Sequence, residues 1–261
     1  MVRVVLGVSY NGQAYQGWQS QLSGLTVQDK LEKALGKFTS QRVSTLCAGR
    51  TDAGVHALMQ VVHFDSDRDR DVHAWVRGTN ANLPRDIAVQ WAMLTDSSFH
   101  CRALAKSRRY AYVLLESPVR PSVEIGRVGW TFRALDMNAM RQAADILLGE
   151  HDFTSFRASQ CQALSPIKTL LDISLHKRGA YWRIEFEANA FLHHMIRNIM
   201  GCLVQIGQGK HPPEWMAQVL AARDRNAAAP TFSPHGLYFL GPRYDARWGM
   251  PERTPAYDGL P

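Results

Sequence analysis

Strand-like and helix-like segments alternate through the first hundred residues, and this order limits the fold more than any single motif does. Val2–Tyr10 is rich in valine and ends at an Asn-Gly turn signal, which predicts a β-strand. Thr26 then begins a helix, with Asp29 at its third position and apolar residues on one face. A helix at 71–83 and a strand at 87–94 follow. The order β-α-β-loop-β-α-β predicts an α+β fold with helices packed on a sheet.

The rest of the chain has a similar mixture without repeating the sequence. Its clearest signal is a β-hairpin, because residues 167–176 and 181–188 alternate apolar and polar side chains around a Lys-Arg-Gly-Ala turn. The other segments are a strand at 110–115, helices at 136–148, 192–207 and 214–223, and a last strand at 236–240. We therefore predict two similar α+β halves, 1–105 and 106–261. They should share an extended, mostly antiparallel sheet with flanking helices, and an active-site cleft should lie between them.

The segment Ala48–His56 reads AGRTDAGVH and lies between two strand-like runs. Glycine permits positive φ and close backbone approach, so the glycines on each side of Arg-Thr-Asp indicate a carboxylate presented on a loop. The Arg50 cation, two residues before Asp52, favours the ionised carboxylate. Such a group suits a nucleophile, a base or a charge stabiliser. The loop alone favours an ordinary turn with Arg50 as a surface partner, because aspartate and glycine are common turn residues.

The charge of the chain favours a polyanionic partner. It has 30 Lys+Arg against 23 Asp+Glu, a net charge of +7 and a pI near 9.4. A basic segment, 102–109, leads into Tyr110, which indicates either a nucleic-acid surface or a solvated edge with its tyrosines in the core. The aromatic and amide-rich loop at 13–19 either contacts unstacked bases or is fixed to the core by Tyr15 and Trp18. Arg197 lies among apolar residues and needs an anion, either a carboxylate or a phosphate.

Several classes of protein are disfavoured. The four cysteines are scattered without a C-x-x-C pair, which argues against a disulfide framework and a cysteine zinc site. His193 and His194 are adjacent, so on the predicted helix they would diverge by about 100° and make a poor metal pair. The N-terminus lacks a signal-peptide layout, and no apolar run approaches roughly 20 residues. We expect a cytoplasmic, soluble protein without a metal.

With these motifs in the same order, the chain resembles the tRNA pseudouridine synthase A family across nearly its full length. The loop at 48–56 is the most specific match. The supporting matches are Gly17–Gln19, Asn80–Pro84, Phe99–His100, Arg109–Tyr110, Asp152–Phe156, His193–Asn198 and Gly236–Tyr238.

The resemblance implies an isomerase that converts uridines 38, 39 and 40 of the tRNA anticodon stem-loop to pseudouridine. It implies a homodimer that needs no metal or organic cofactor. It also implies a role for each matched residue. Asp52 would be the catalytic aspartate, Tyr110 would stack on the target base, and Arg197 would pair with the catalytic carboxylate. Leu237 would form an apolar pocket wall, and Arg50 would help to hold the flipped nucleotide.

The chemistry and two rival functions stay open at this point. Asp52 could attack C1′ of the sugar, attack the uracil ring, or take a proton from C2′. One rival is a catalytically silent, basic RNA-binding protein on the same scaffold, and another is a pseudouridine synthase that acts on a different RNA. Asp52 together with Arg197 argues against a pure binder, because a carboxylate in an RNA cleft would repel phosphate.

Overall fold

The computed structural model describes residues 1–68 and 70–251, which divide into two compact units. The first unit holds Met1–Lys106 and the described residues from Tyr238 onward, and the second holds Ser107–Leu237. The division predicted from the sequence at residues 105 and 106 assigned the last strand to the second half. In the structure, the residues of that strand from Tyr238 onward lie with the first unit, because they pair with one of its strands.

The described residues form strands and α-helices in the order that an α+β protein requires, and the predicted fold class is confirmed. The strands are β1 (Val2–Tyr10), β2 (Leu46–Cys47), β3 (His56–Ser66), β4 (Ile87–Thr95), β5 (Ser107–Glu116), β6 (Gly129–Thr131), β7 (Gly149–Asp152), β8 (Ile167–Arg178), β9 (Tyr181–Ala188) and β10 (Leu237–Arg243). The helices are α1 (Val27–Thr39), α2 (Val72–Asn80), α3 (Met137–Asp145), α4 (Met195–Gly207) and α5 (Trp215–Ala222). Within the described ranges, no helix is long and apolar enough to cross a membrane.

The first unit is built on β1, which pairs antiparallel with β3 on one side and β4 on the other. Val5 lies opposite both His63 and Met93, and it is fully buried. The short β2 pairs antiparallel with β3, and β10 adds to β3 in parallel, with Tyr238 opposite His56. This arrangement brackets the start of β3 from two sides, which is where the glycine-flanked loop ends.

The second unit contains the predicted hairpin. Strands β8 and β9 pair antiparallel from Arg178 and Tyr181 at the turn, and β8 extends past its predicted end at residue 176. Strand β9 also pairs with β5, and β8 pairs with β7. The short β6 runs parallel to β5. Alternate side chains of β9 are buried, as the apolar–polar pattern of the sequence predicts.

The helix starts follow local rules in three cases and differ from the prediction in a fourth. Thr26 accepts a hydrogen bond from the Asp29 amide at the start of α1, and Asp71 and Asp136 cap α2 and α3 in the same way. By contrast, α4 begins at Met195 rather than at residue 192. His194 precedes it in the left-handed conformation, at φ 63°, which a helix cannot continue through.

Candidate active site

The glycine-flanked loop joins β2 to β3, so both of its ends are fixed by paired strands. Arg50 is exposed, Thr51 is buried and Asp52 is partly buried. The Val55 amide donates to the Asp52 carbonyl at 3.1 Å, which closes a turn around the carboxylate-bearing residue. Gly54 has φ 78°, the left-handed region in which glycine is favoured. The loop is therefore a formed turn that presents Asp52.

The segment before α1 supports this loop from one side. The Trp18 amide donates to the Thr51 carbonyl at 3.0 Å, and the Gly54 amide donates to the Tyr15 carbonyl at 3.3 Å. Gly17 has φ 86°, and a Cβ there would lie 2.7 Å from the Thr51 carbonyl oxygen. Trp18 is 1% exposed and Tyr15 is 8% exposed. Of the two interpretations of this segment, the structure supports a loop fixed to the core by these aromatic residues.

Buried polar side chains from β1 and β3 form hydrogen bonds with the loop. The Tyr10 hydroxyl and the Thr51 hydroxyl are 2.7 Å apart, and Gln60, fully buried on β3, donates from Nε2 to the Gly49 carbonyl at 2.5 Å. Burial raises the pKa of Tyr10, so its hydroxyl is neutral at physiological pH. The sequence argument did not find Tyr10 or Gln60. The available signal was an amide inside a strand pattern whose neighbours are apolar.

His56 closes the other end of the loop. Its Nδ1 accepts a hydrogen bond from the Gly12 amide at 3.1 Å, so this nitrogen carries no proton. The ring stacks on Tyr238, with centroids 4.6 Å apart and planes inclined by 21°. His56 is 2% exposed. The histidine that ends the motif is thus a buried link between the loop, the segment after β1, and β10.

The remaining predicted site residues lie in the second unit. Tyr110, on β5, is buried and makes an edge-to-face contact with Phe191 at 5.2 Å. Leu237 is also buried, and its amide donates to the Pro234 carbonyl at 2.9 Å. Arg197, in the first turn of α4, donates from Nε to the Phe232 carbonyl at 2.9 Å. Its predicted pairing with Asp52 and the predicted roles of Tyr110 and Leu237 stay predictions.

Other polar and small residues at the start of α4 have structural contacts. His194 lies outside the helix, as described above. Asn198 is fully buried, donates to the Phe156 carbonyl at 2.8 Å and accepts from the Thr231 hydroxyl at 2.7 Å. A Cβ on Gly201 would lie 2.4 Å from the Pro230 carbonyl oxygen. Asn198 and Gly201 therefore hold the 230–231 segment against the helix, which is a structural role.

Comparisons with known proteins identify the same family that the loop motif resembles. The sequence profile of the tRNA pseudouridine synthase family matches residues 7–102 and 143–245. The chain belongs to this family. It is 71% identical over 260 residues to tRNA pseudouridine synthase A of Albidiferax ferrireducens, with 100% of both chains covered. The proteins of the same name from Polaromonas naphthalenivorans and Delftia acidovorans are 69% and 64% identical, again with 100% coverage of both chains.

The resemblance that the motifs indicated is thus confirmed. The two ranges matched by the tRNA pseudouridine synthase profile contain Arg50, Asp52, Arg197 and Leu237. Tyr110 lies between the two ranges, but it is covered by the full-length alignments with the individual relatives.

One histidine–cysteine group in this member of the tRNA pseudouridine synthase family has the composition of a metal site. His63, His100 and Cys101 place possible ligand atoms within 4.8 Å of one another. However, His63 Nδ1 accepts from the Cys101 amide at 3.3 Å, His100 Nδ1 accepts from the Arg102 amide at 3.2 Å, and Cys101 Sγ donates to the Leu46 carbonyl at 3.2 Å. A neutral imidazole that accepts at Nδ1 carries its proton at Nε2, which leaves no lone pair for a metal. The group fits a hydrogen-bonded core better than a metal site.

His63 makes stability depend on pH. Burial, with the nearby positive charge of Arg3, lowers the pKa of His63 to about 4. In the unfolded chain the pKa of a histidine is about 6.5. Between these two values the unfolded state binds the proton and the folded state does not. The free energy of unfolding is therefore highest above pH 6.5 and falls as the pH is lowered toward 4. The difference between the folded and unfolded pKa of His63 corresponds to a loss of about 3 kcal/mol in the free energy of unfolding.

We expect His63→Gln to reduce this acid sensitivity, because it removes the titrating ring. The measurement is chemical denaturation of both proteins from pH 7 to pH 4. His73→Gln, at an exposed histidine in α2, is the matched control and should keep the wild-type pH dependence. Equal pH dependence in wild type and His63→Gln would show that His63 is not the sensitive group.

Proposed function

We propose that this protein converts uridines at positions 38, 39 and 40 of the tRNA anticodon stem-loop to pseudouridine. The observation that carries the proposal is full-length identity of 64–71% to proteins named tRNA pseudouridine synthase A. The formed turn that presents Asp52 supports it, because that turn lies in the motif that resembles the family's catalytic loop. The finer assignment to three positions in the anticodon arm rests on the family resemblance.

The reaction breaks the bond between C1′ and N1, turns the uracil, and joins C5 to C1′. It is an isomerisation, so it neither oxidises nor reduces the nucleotide and consumes no energy-rich donor. Asp52 acts at the nucleotide by one of three routes: attack at C1′, attack at the uracil ring, or removal of the C2′ proton. Each route needs an ionised carboxylate held in a fixed position relative to the sugar and base.

The target uridine must leave the base stack before Asp52 can reach it. Tyr110 stacks on the extruded base and offsets part of the cost of unstacking, because stacking on an aromatic side chain contributes about 1–3 kcal/mol per base. Arg50, which is exposed beside Asp52, contacts the nucleotide, and Leu237 forms an apolar wall. Arg197 pairs with the Asp52 carboxylate and keeps it charged. These assignments, and a cleft between the two halves that holds them, rest on the resemblance.

The biological setting follows from the same proposal. A net charge of +7 suits a polyanionic substrate the size of tRNA. We propose that the protein acts in the cytoplasm as a homodimer, as members of the family do, and without a metal or organic cofactor.

The decisive experiment maps pseudouridine in tRNA from cells that lack this protein and from the same cells with the gene restored. Loss confined to positions 38–40, with recovery on complementation, is the expected result. Unchanged pseudouridine at these positions would refute the substrate assignment. The silent RNA-binding alternative predicts no change anywhere in tRNA, and a synthase for another RNA predicts a loss outside tRNA.

A further inference from the structure

Two side chains from different strands hold the residues on each side of Arg50. Gln60, on β3, donates from Nε2 to the Gly49 carbonyl at 2.5 Å and accepts from the Gly49 amide through Oε1 at 3.4 Å. Tyr10, at the end of β1, bonds to the Thr51 hydroxyl at 2.7 Å. The loop backbone is therefore tied to the sheet immediately before Asp52.

The chemistry of Gln60 suits this purpose. Gly49 lies beyond the end of β2, so no strand neighbour bonds to its peptide groups there. A side-chain amide places an N–H donor beside a carbonyl acceptor, as a peptide group does, and Gln60 thus replaces the missing strand partner. Because Gln60 is fully buried, an apolar residue in its place would leave both Gly49 groups without that partner, and a buried unsatisfied group costs about 1–3 kcal/mol.

The tie at Thr51 involves both its side chain and its backbone. The Thr51 hydroxyl bonds to the Tyr10 hydroxyl at 2.7 Å. The Thr51 carbonyl is fixed separately by the Trp18 amide at 3.0 Å. Both the side chain and the carbonyl of the residue before Asp52 are therefore held, which sets the orientation of the peptide that joins Thr51 to Asp52.

We propose that Tyr10, Thr51 and Gln60 are positioning residues that fix the Asp52 carboxylate relative to the target nucleotide. None of the three needs to contact the substrate to do so. This inference rests on the proposed function, because its consequence is seen in the rate of pseudouridine formation. A displacement of about 1 Å in a reacting group can reduce a rate by about 100-fold, so a loosened loop lowers the rate without loss of tRNA binding.

Thr51→Val is the test variant, because it keeps the shape of the side chain and removes the hydroxyl. We expect the single-turnover rate at saturating tRNA to fall by about 10- to 100-fold, with KM within about twofold of wild type. Thr51→Ser restores the hydroxyl and should bring the rate back to within about threefold of wild type. The double variant Tyr10→Phe with Thr51→Val should be no slower than the slower single variant, because both substitutions remove the same bond.

Thr39→Val is the matched control. Thr39 is a buried threonine of the first unit whose hydroxyl donates to the Leu35 carbonyl at 2.9 Å, far along the sequence from the loop. It should lower the melting temperature about as much as Thr51→Val does and leave the single-turnover rate unchanged. A Thr51→Val rate within about twofold of wild type, or an equal loss of rate in Thr39→Val, would overturn the proposal.

A second measurement separates this inference from the proposed function. Hydrogen exchange of the Trp18 amide, which bonds to Thr51, needs no activity. We expect it to be about tenfold faster in Thr51→Val and Tyr10→Phe than in wild type, and unchanged in Thr39→Val. If wild type makes no pseudouridine, the proposed function fails and unchanged Trp18 exchange would reject the tie as well. If wild type is active and the variants have the same rate and the same Trp18 exchange as wild type, the positioning role alone fails.

Discussion

Asp52→Asn is expected to abolish pseudouridine formation and to leave tRNA binding largely intact. Asparagine has nearly the same shape, so the turn closed by the Val55 amide and the Asp52 carbonyl should be retained. The amide cannot act as a carboxylate nucleophile or as a base, which removes all three routes open to Asp52. We expect the single-turnover rate to fall on the order of 10³-fold or more, as removal of an essential catalytic group does.

The measurement uses purified tRNA, with conversion and binding determined on the same protein preparations. Asp67→Asn is the matched control, because it removes the same charge from an exposed position of the first unit. It should convert tRNA at the wild-type rate. Conversion by Asp52→Asn at a near-normal rate would show that Asp52 is not the catalyst, and loss of tRNA binding in parallel with activity would assign Asp52 to binding instead.

The second large effect is expected from Gly12→Ala. A Cβ on Gly12 would lie 1.9 Å from the carbonyl oxygen of Val55 and 2.6 Å from its carbonyl carbon. Both atoms belong to the backbone next to the turn that presents Asp52, so they cannot move aside as the end of a flexible side chain does. The Gly12 amide would also move away from His56 Nδ1. We expect a loss of about 3 kcal/mol in the free energy of unfolding, measured by denaturant titration.

Gly24→Ala supplies the comparison for this substitution. Gly24 has φ 65°, and nothing lies within 4 Å of a Cβ placed on it. Its substitution adds backbone strain of about 1–2 kcal/mol without a steric clash. Equal stability of the two variants would mean that Gly12 does not pack against Val55 as described.

The parts of the fold that the sequence predicted are those set by local chemistry. The cap of α1 needs only Thr26 and Asp29, which lie within one turn, and the β8–β9 hairpin needs only alternation around a short turn. The predicted start of α4 at residue 192 was wrong, because His194 adopts a left-handed conformation that the apolar pattern of the segment does not reveal. The burial of Asn198 could not be predicted, because its partner Thr231 comes from a distant segment.

The residues of the candidate site also differ in whether neighbouring sequence is enough to predict them. Asp52 becomes a candidate from sequence because its glycines and arginine are next to it and because the loop resembles the family's catalytic motif. Tyr10 and Gln60 do not, since strand alternation can place them in the core but cannot show that they meet the loop across 41 residues in one case and 11 in the other. Their contacts depend on the antiparallel register of β1 and β3, in which Val8 lies opposite Gln60.

The late arrival of β10 in the first unit has a consequence for biosynthesis. Tyr238, on which His56 stacks, is translated only after the whole segment Ser107–Leu237. Until then the start of β3 lacks its pairing with β10, and His56 lacks the Tyr238 ring on which it stacks. Domains generally form as their residues leave the ribosome, but this one must wait for a distant segment. A truncated or stalled product would accordingly contain the entire AGRTDAGVH motif and still lack the stacking of its last residue, His56, on Tyr238.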